Sequence, residues 1–230
     1  MSNAGKNSHK FFLSVLFLFS FCLPAYAVSD DIVAAMAGEW LIAPEDGAQG
    51  CVLQFDKDKT IGGYAVQEKA HCALADLHDR VASWDFGGDG DIVLRDATRK
   101  TILHLYEQEG GPYRTQQGTL SAMIMVKGQK GVDRVPMAQH LFGTWQLNDK
   151  GGKPLCKITL LDHPPEGGEE SYALELVKGC SGTLRKYKLV SWRIQDFSLE
   201  LDGSDGESII LVPQADGSFV ADDKVFSLKR

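Results

Sequence analysis

Outside its first 27 residues the chain has no apolar run near the ~20 residues that a helix needs to cross a bilayer. No membrane span is therefore expected in the mature protein. Positive charge is also scarce: 24 Lys and Arg stand against 31 Asp and Glu, a net charge of −7. Nothing resembles a basic stripe with interleaved aromatics, which excludes nucleic acid as a partner. The signatures of catalysis are missing too. There is no His-Glu-x-x-His, no Cys-x-x-Cys, no phosphate-binding Gly-Lys-Ser/Thr and no Gly-x-Ser-x-Gly. The six histidines (His9, His71, His78, His104, His140, His163) are scattered without metal-ligand spacing. His71 adjoins Cys72, but a disulfide-bonded cysteine cannot coordinate as a thiolate. No cofactor and no enzymatic activity are expected.

Two acidic clusters could suggest calcium, namely Asp85, Asp89 and Asp91, and Asp202, Asp205 and Glu207. Both fall between predicted strands, at what reads as the same point of a repeat, where hairpins favour Asp and Gly. They are expected to be turns.

What the chain does have is a duplicated frame of rare residues. Trp40 is followed eleven residues later by Cys51, and Cys72 twelve later by Trp84. The frame returns as Trp145 to Cys156, again eleven, and Cys180 to Trp192, again twelve. Each first tryptophan closes a Gly-x-Trp tripeptide, Gly38-Glu39-Trp40 and Gly143-Thr144-Trp145. Two copies of one small domain are predicted.

Residues 1–27 read as a secretory signal. Lys6 and Lys10 supply the positive start, Phe11 to Leu23 the apolar stretch, and Ala25-Tyr26-Ala27 the small residues of a cleavage site. Phe21 is too bulky for a lipidation box at Cys22. Cleavage would leave Val28 first and, without Lys6 and Lys10, 22 basic against 31 acidic residues, net −9. Four cysteines would remain, and pairing them as Cys51–Cys72 and Cys156–Cys180 suits an oxidising compartment, the periplasm or beyond.

Beyond residue 38 apolar and polar residues alternate in short runs. Cys51, Leu53 and Phe55 show it, as do Cys156, Ile158 and Leu160, then Tyr172, Leu174 and Leu176, then Phe197, Leu199 and Leu201. Gly87-Gly88, Asp89-Gly90, Gly110-Gly111, Asp205-Gly206 and Asp216-Gly217 punctuate the runs as hairpin turns do. About eight strands per copy are predicted, in the second copy near Trp145, Ile158, Leu174, Val190, Leu199, Ile210, Phe219 and Phe226. Eight short antiparallel strands close naturally into an up-and-down barrel, with a two-sheet sandwich as the rival. The fold class is all-β: tandem eight-stranded, lipocalin-like barrels over 28–126 and 136–230, joined by a linker over 127–135. Each barrel is preceded by a helical turn. Ile32–Met36 follows the capping Ser29-Asp30-Asp31, and Met137–Leu141 follows Pro136. Trp40, Trp84, Trp145 and Trp192 alternate with polar neighbours and are expected in the barrel cores. A disulfide closing some 20 residues stabilises such a domain by about 3 kcal/mol.

These residues resemble a known family. Ala34-Ala35-Met36-Ala37-Gly38-Glu39-Trp40, Cys51, Tyr64-Ala65, Cys72 and Trp84 look like the bacterial inhibitors of serralysin-type zinc metalloproteases, the alkaline-proteinase inhibitor (Inh) family. The pattern recurs as Ala138-Gln139-His140-Leu141-Phe142-Gly143-Thr144-Trp145, Cys156, Tyr172-Ala173, Cys180 and Trp192. The resemblance implies an inhibitor exported to the periplasm or secreted beyond it. A short N-terminal trunk, here Val28-Ser29-Asp30-Asp31-Ile32, would enter the protease cleft and place the Val28 α-amine on the catalytic zinc. It is a resemblance to single-domain inhibitors, and only the first copy here can offer a free amine. The second copy is expected to be a scaffold, a separate binding surface or an inhibitor of another kind. Two other readings stay open: a lipocalin-like carrier of a small molecule, since Gly-x-Trp is also similar to lipocalins, and an envelope module that binds another protein without inhibiting it.

Overall fold

The computed structural model describes residues 28–69, 72–109, 111–116, 122–168, 170–177, 180, 182–221 and 225–230. The signal segment 1–27 with Cys22, His71 and Gly110 lie outside the described residues.

A short helix α1 (Asp30–Met36) leads into β1 (Gly38–Pro44), β2 (Cys51–Thr60), β3 (Gly63–Glu68), β4 (Ser83–Phe86), β5 (Ile92–Arg95), β6 (Thr101–Leu105), β7 (Tyr113–Arg114) and β8 (Met123–Lys127). The second copy runs β9 (Gly143–Asp149), β10 (Pro154–Leu160), β11 (Tyr172–Leu176), a helical turn α2 (Gly182–Arg185), β12 (Leu189–Gln195), β13 (Ser198–Gly203), β14 (Ser208–Pro213), β15 (Phe219–Ala221) and β16 (Phe226–Lys229). Every pairing is antiparallel between neighbours in an up-and-down order, and β9 also pairs with β16, closing the second barrel. In the first, β1 pairs with both β2 and β8. Among its described residues β6 and β7 meet only at the bridge Tyr106–Arg114, so this barrel is nearly closed. The architecture is the expected pair of barrels and not a sandwich.

The duplication extends to register. Trp40 faces Leu53 as Trp145 faces Ile158. Tyr64 faces Trp84 as Tyr172 faces Trp192, with ring centroids 5.0 and 4.9 Å apart. Cross-strand aromatic pairs of this kind stabilise a sheet by up to ~1 kcal/mol each. Inward side chains fill both barrels: Trp40, Phe55, Trp84, Ile92, Leu94 and Leu105 in the first, Trp145, Leu147, Ile158, Trp192, Leu199 and Leu211 in the second, all buried. The four tryptophans are core residues.

Each barrel is stoppered at both ends. At the leading end, where the chain enters, sit α1 and a 3-10 turn, Ala138–His140. At the trailing end each disulfide staples the chain, with Cα atoms 4.2 Å apart in Cys51–Cys72 and 4.5 Å in Cys156–Cys180. Just past the second cysteine of each pair, one leucine drops into the core, Leu77 from the hydrogen-bonded turns of residues 74–81 and Leu184 from α2. These trailing-end plugs were not foreseen from the sequence.

Candidate functional site: the leading end of the first barrel

The glycine of Gly-x-Trp has a conformational reason. Gly38 has φ +124° and Gly143 φ +117°, the left-handed side that side chains avoid, although neither would meet a neighbour within 4 Å through an added Cβ. The bend lets each following tryptophan turn back under the preceding helical turn. Trp40 Nε1–H donates to Met36 O at 2.7 Å, and Trp145 Nε1–H to Leu141 O at the same distance. A cation covers each ring, from the end of β8 in the first barrel and from just past β16 in the second. Lys127 Nζ lies 4.0 Å from the Trp40 centroid and donates to Ala35 O at 3.1 Å. The Arg230 guanidinium lies 4.7 Å from Trp145 and donates to His140 O and Phe142 O. Thus each leading-end turn is held by an indole from below and a cation from the side.

In α1, Val33 and Met36 are three apart and both buried, anchoring the helix in the barrel mouth. Its other side faces solvent. The expected trunk divides here: Val28 and Ser29 precede the helix, while Asp30, Asp31 and Ile32 form its first turn. All five are exposed, Val28 at 37% and Ile32 at 51%. The helix starts two residues earlier than the sequence pattern suggests. Ser29 caps it through its backbone carbonyl, which accepts Ile32 N–H and Val33 N–H at 3.1 and 3.2 Å, and not through its hydroxyl. Asp30 and Asp31 sit where the helix dipole favours negative charge. Beyond the barrel mouth, then, the first copy offers a short, acidic, solvent-facing stretch on a fixed base.

The remaining candidates resolve as structure. Asp85 pairs with Arg95 at 2.8 Å, Asp91 with His104 at 3.1 Å, Asp205 with Lys188 at 3.3 Å and Asp202 with Arg193 at 3.3 Å. The acidic clusters are turn and ion-pair residues, but they do not occupy the same hairpin. The first lies between β4 and β5, the second between β13 and β14, which corresponds to the β5–β6 turn. The connection that does correspond to the first cluster, β12–β13, is shortened to Asp196-Phe197, with Asp196 at φ +56°. Burial pushes the Asp202 carboxyl up, and Glu200 adds to that, against the pull of Arg193.

One group missed by sequence reasoning brings three potential ligand atoms within 4.8 Å, those of Glu68, His78 and Asp79. Its geometry is that of a clamp. Glu68 accepts from Cys72 N–H at 3.1 Å and Asp79 N–H at 3.5 Å and meets His78 Nδ1 at 3.1 Å, pinning the segment beside the first disulfide. Burial raises the Glu68 carboxyl, but these hydrogen bonds together hold it below the usual carboxylate range. The carrier reading meets filled barrels, since Trp84, Phe55 and Trp192 are fully buried where a ligand would lie.

A protein-family model described as "Protease inhibitor Inh" matches the chain twice, over residues 30–127 and 135–229. A search of the curated proteins returned no match.

Proposed function

The chain belongs to the Inh family of protease inhibitors, and from that premise we propose that it is exported to the periplasm, or beyond, and inhibits a zinc metalloprotease of the serralysin type. The inhibitory element in this reading is Val28–Ile32, with the Val28 α-amine as zinc ligand. What supports it is the leading end of the first barrel: exposed Val28 and Ser29 precede, and exposed Asp30, Asp31 and Ile32 open, a helix whose base is fixed by Val33, Met36, Trp40 and Lys127. Such an anchor lowers the entropy lost when the segment enters a cleft.

The chemistry is consistent. A catalytic zinc keeps one position open for water, and a neutral amine is a good ligand for it. An α-amine titrates near 7.7–8.0, so a fraction is neutral at physiological pH and the metal draws the rest. Cleavage after Ala27 creates that amine, tying function to export. Both disulfides suit the oxidising compartment this implies.

The test compares mature protein starting at Val28 with a form lacking residues 28–32, against a serralysin-type protease, after mass spectrometry has fixed the mature N-terminus. Strong inhibition by the first and weak inhibition by the second is expected. Equal potency removes the amine–zinc mechanism, and no inhibition by either removes this protease class.

A further inference from the structure

The two barrels share a core but not an outer wall. Around the strands where the chain enters, the outward positions of the first barrel are Leu41, Ala43, Val52, Ile124 and Val126. Sheet register puts Gln146, Asn148, Lys157, Ser227 and Lys229 at the same positions of the second. Every apolar residue of the first wall is replaced by a polar one. The apolar wall is covered: Leu41, Ala43 and Ile124 form one buried cluster with Val132 and Val135 from the connecting segment and Phe197 from the second barrel.

Phe197 stands at the β12–β13 turn, on the leading end of the second barrel. Beside it Asp196 Oδ1 accepts from Arg114 Nη2 at 2.7 Å, and Arg114 also binds Glu45, so a guanidinium of the first barrel bridges carboxylates of both. The connecting segment is fastened along its length. Gly128 N–H donates to Glu39 O and Gly50 N–H to Asp133 O, each at 2.8 Å. Aligned on Trp40 and Trp145, the exposed Val28–Ile32 corresponds to Asp133–Met137. Of that second stretch Val135 is only 6% exposed, and Pro136 and Met137 are half-buried.

We infer that the leading end of the second barrel is a docking surface for the outer wall of the first, so that the chain presents one inhibitory end and binds one protease molecule. The protease half of this statement rests on the proposed function; the docking half does not. Burying Phe197 and Val135 against Leu41 removes apolar surface from water, and the Arg114 bridge fixes the angle of approach. At that end a cavity of about 560 Å3 lies between the connecting segment and the barrel, lined by Arg134, Met137, Trp145, Phe219 and Arg230. It has the size of a small-molecule pocket.

Two measurements on the full mature chain separate the halves. Native mass spectrometry with excess serralysin-type protease is expected to show a single protease per chain; two per chain overturns the inference, and none overturns the proposed function. Small-angle scattering on Leu41→Gln/Val126→Lys, without protease, addresses docking. Both replacements are residues that the second barrel carries at those positions, so the fold tolerates them. A longer maximum dimension than the parent chain, with an unchanged circular dichroism spectrum, is expected, whereas equal dimensions overturn the docking.

Discussion

Lys127 Nζ sits 4.0 Å above Trp40 while donating to Ala35 O, so one side chain at the end of the last strand holds both the indole and the helix leading to the N-terminus. Lys127→Ala is expected to cost about 1–2 kcal/mol, a cation–π contact plus one hydrogen bond. Urea unfolding reads the loss. Amide exchange at Ala37, whose N–H donates to Val33 O, should quicken. Lys127→Arg should restore most of both, because Arg230 does the same work over Trp145.

Asp30 and Asp31 bring two charges to the proposed inhibitory segment, which a negatively charged protease cleft would repel. Asp30→Asn/Asp31→Asn is expected to tighten inhibition several-fold at low salt, the gain shrinking as ionic strength shortens the Debye length. A cost of about 0.3–1 kcal/mol per charge follows in the helix, which loses its N-terminal acids. Inhibition constants at two salt concentrations check the first effect, and thermal melts the second.

Replacing Cys156 and Cys180 together by Ser should lower the stability of the second barrel by about 3 kcal/mol. Leu184, close behind Cys180, would lose the anchor that holds it in the trailing end. Denaturant unfolding with and without reductant tests this, and the double variant should be insensitive to reductant in that barrel.

Asp202 lies half-buried beside Glu200, with its carboxyl pushed up chiefly by burial. A carboxyl raised in the folded state favours folding while protonated, and that contribution disappears as pH rises through its folded-state value. Asp202→Asn, which stays neutral, is therefore expected to raise the melting temperature at pH 7. The advantage should vanish below about pH 3.9, where the parent residue is protonated in both states. Melting curves across that range decide it.

The tryptophan–cysteine frame was enough to show the duplication and the pairing of the cysteines, because a rigid core forces rare residues to recur at fixed register, and the alternation of apolar and polar residues between glycine turns placed all eight strands of the second copy. The trailing-end plugs escaped. A single turn carrying one buried leucine, such as Leu77 or Leu184, leaves no periodicity to read. The division of the N-terminal segment escaped too, since Asp30 and Asp31 suit a cap and a first turn equally. The docking wall did leave a trace. Trp40-Leu41-Ile42-Ala43 is apolar on both faces, whereas Trp145-Gln146-Leu147-Asn148 alternates, and a position-by-position comparison of the copies exposes the difference.

The polar wall of the second barrel has a consequence of its own. A head-to-tail contact between like units can add members without limit and grow into a fibre. Here the corresponding wall of the second barrel does not invite a further unit, because Gln146, Ser227 and Lys229 offer an amide, a hydroxyl and an ammonium where that unit would need grease. Phe197, the residue that seats on the apolar wall, is already buried within the same chain, so the pair closes on itself.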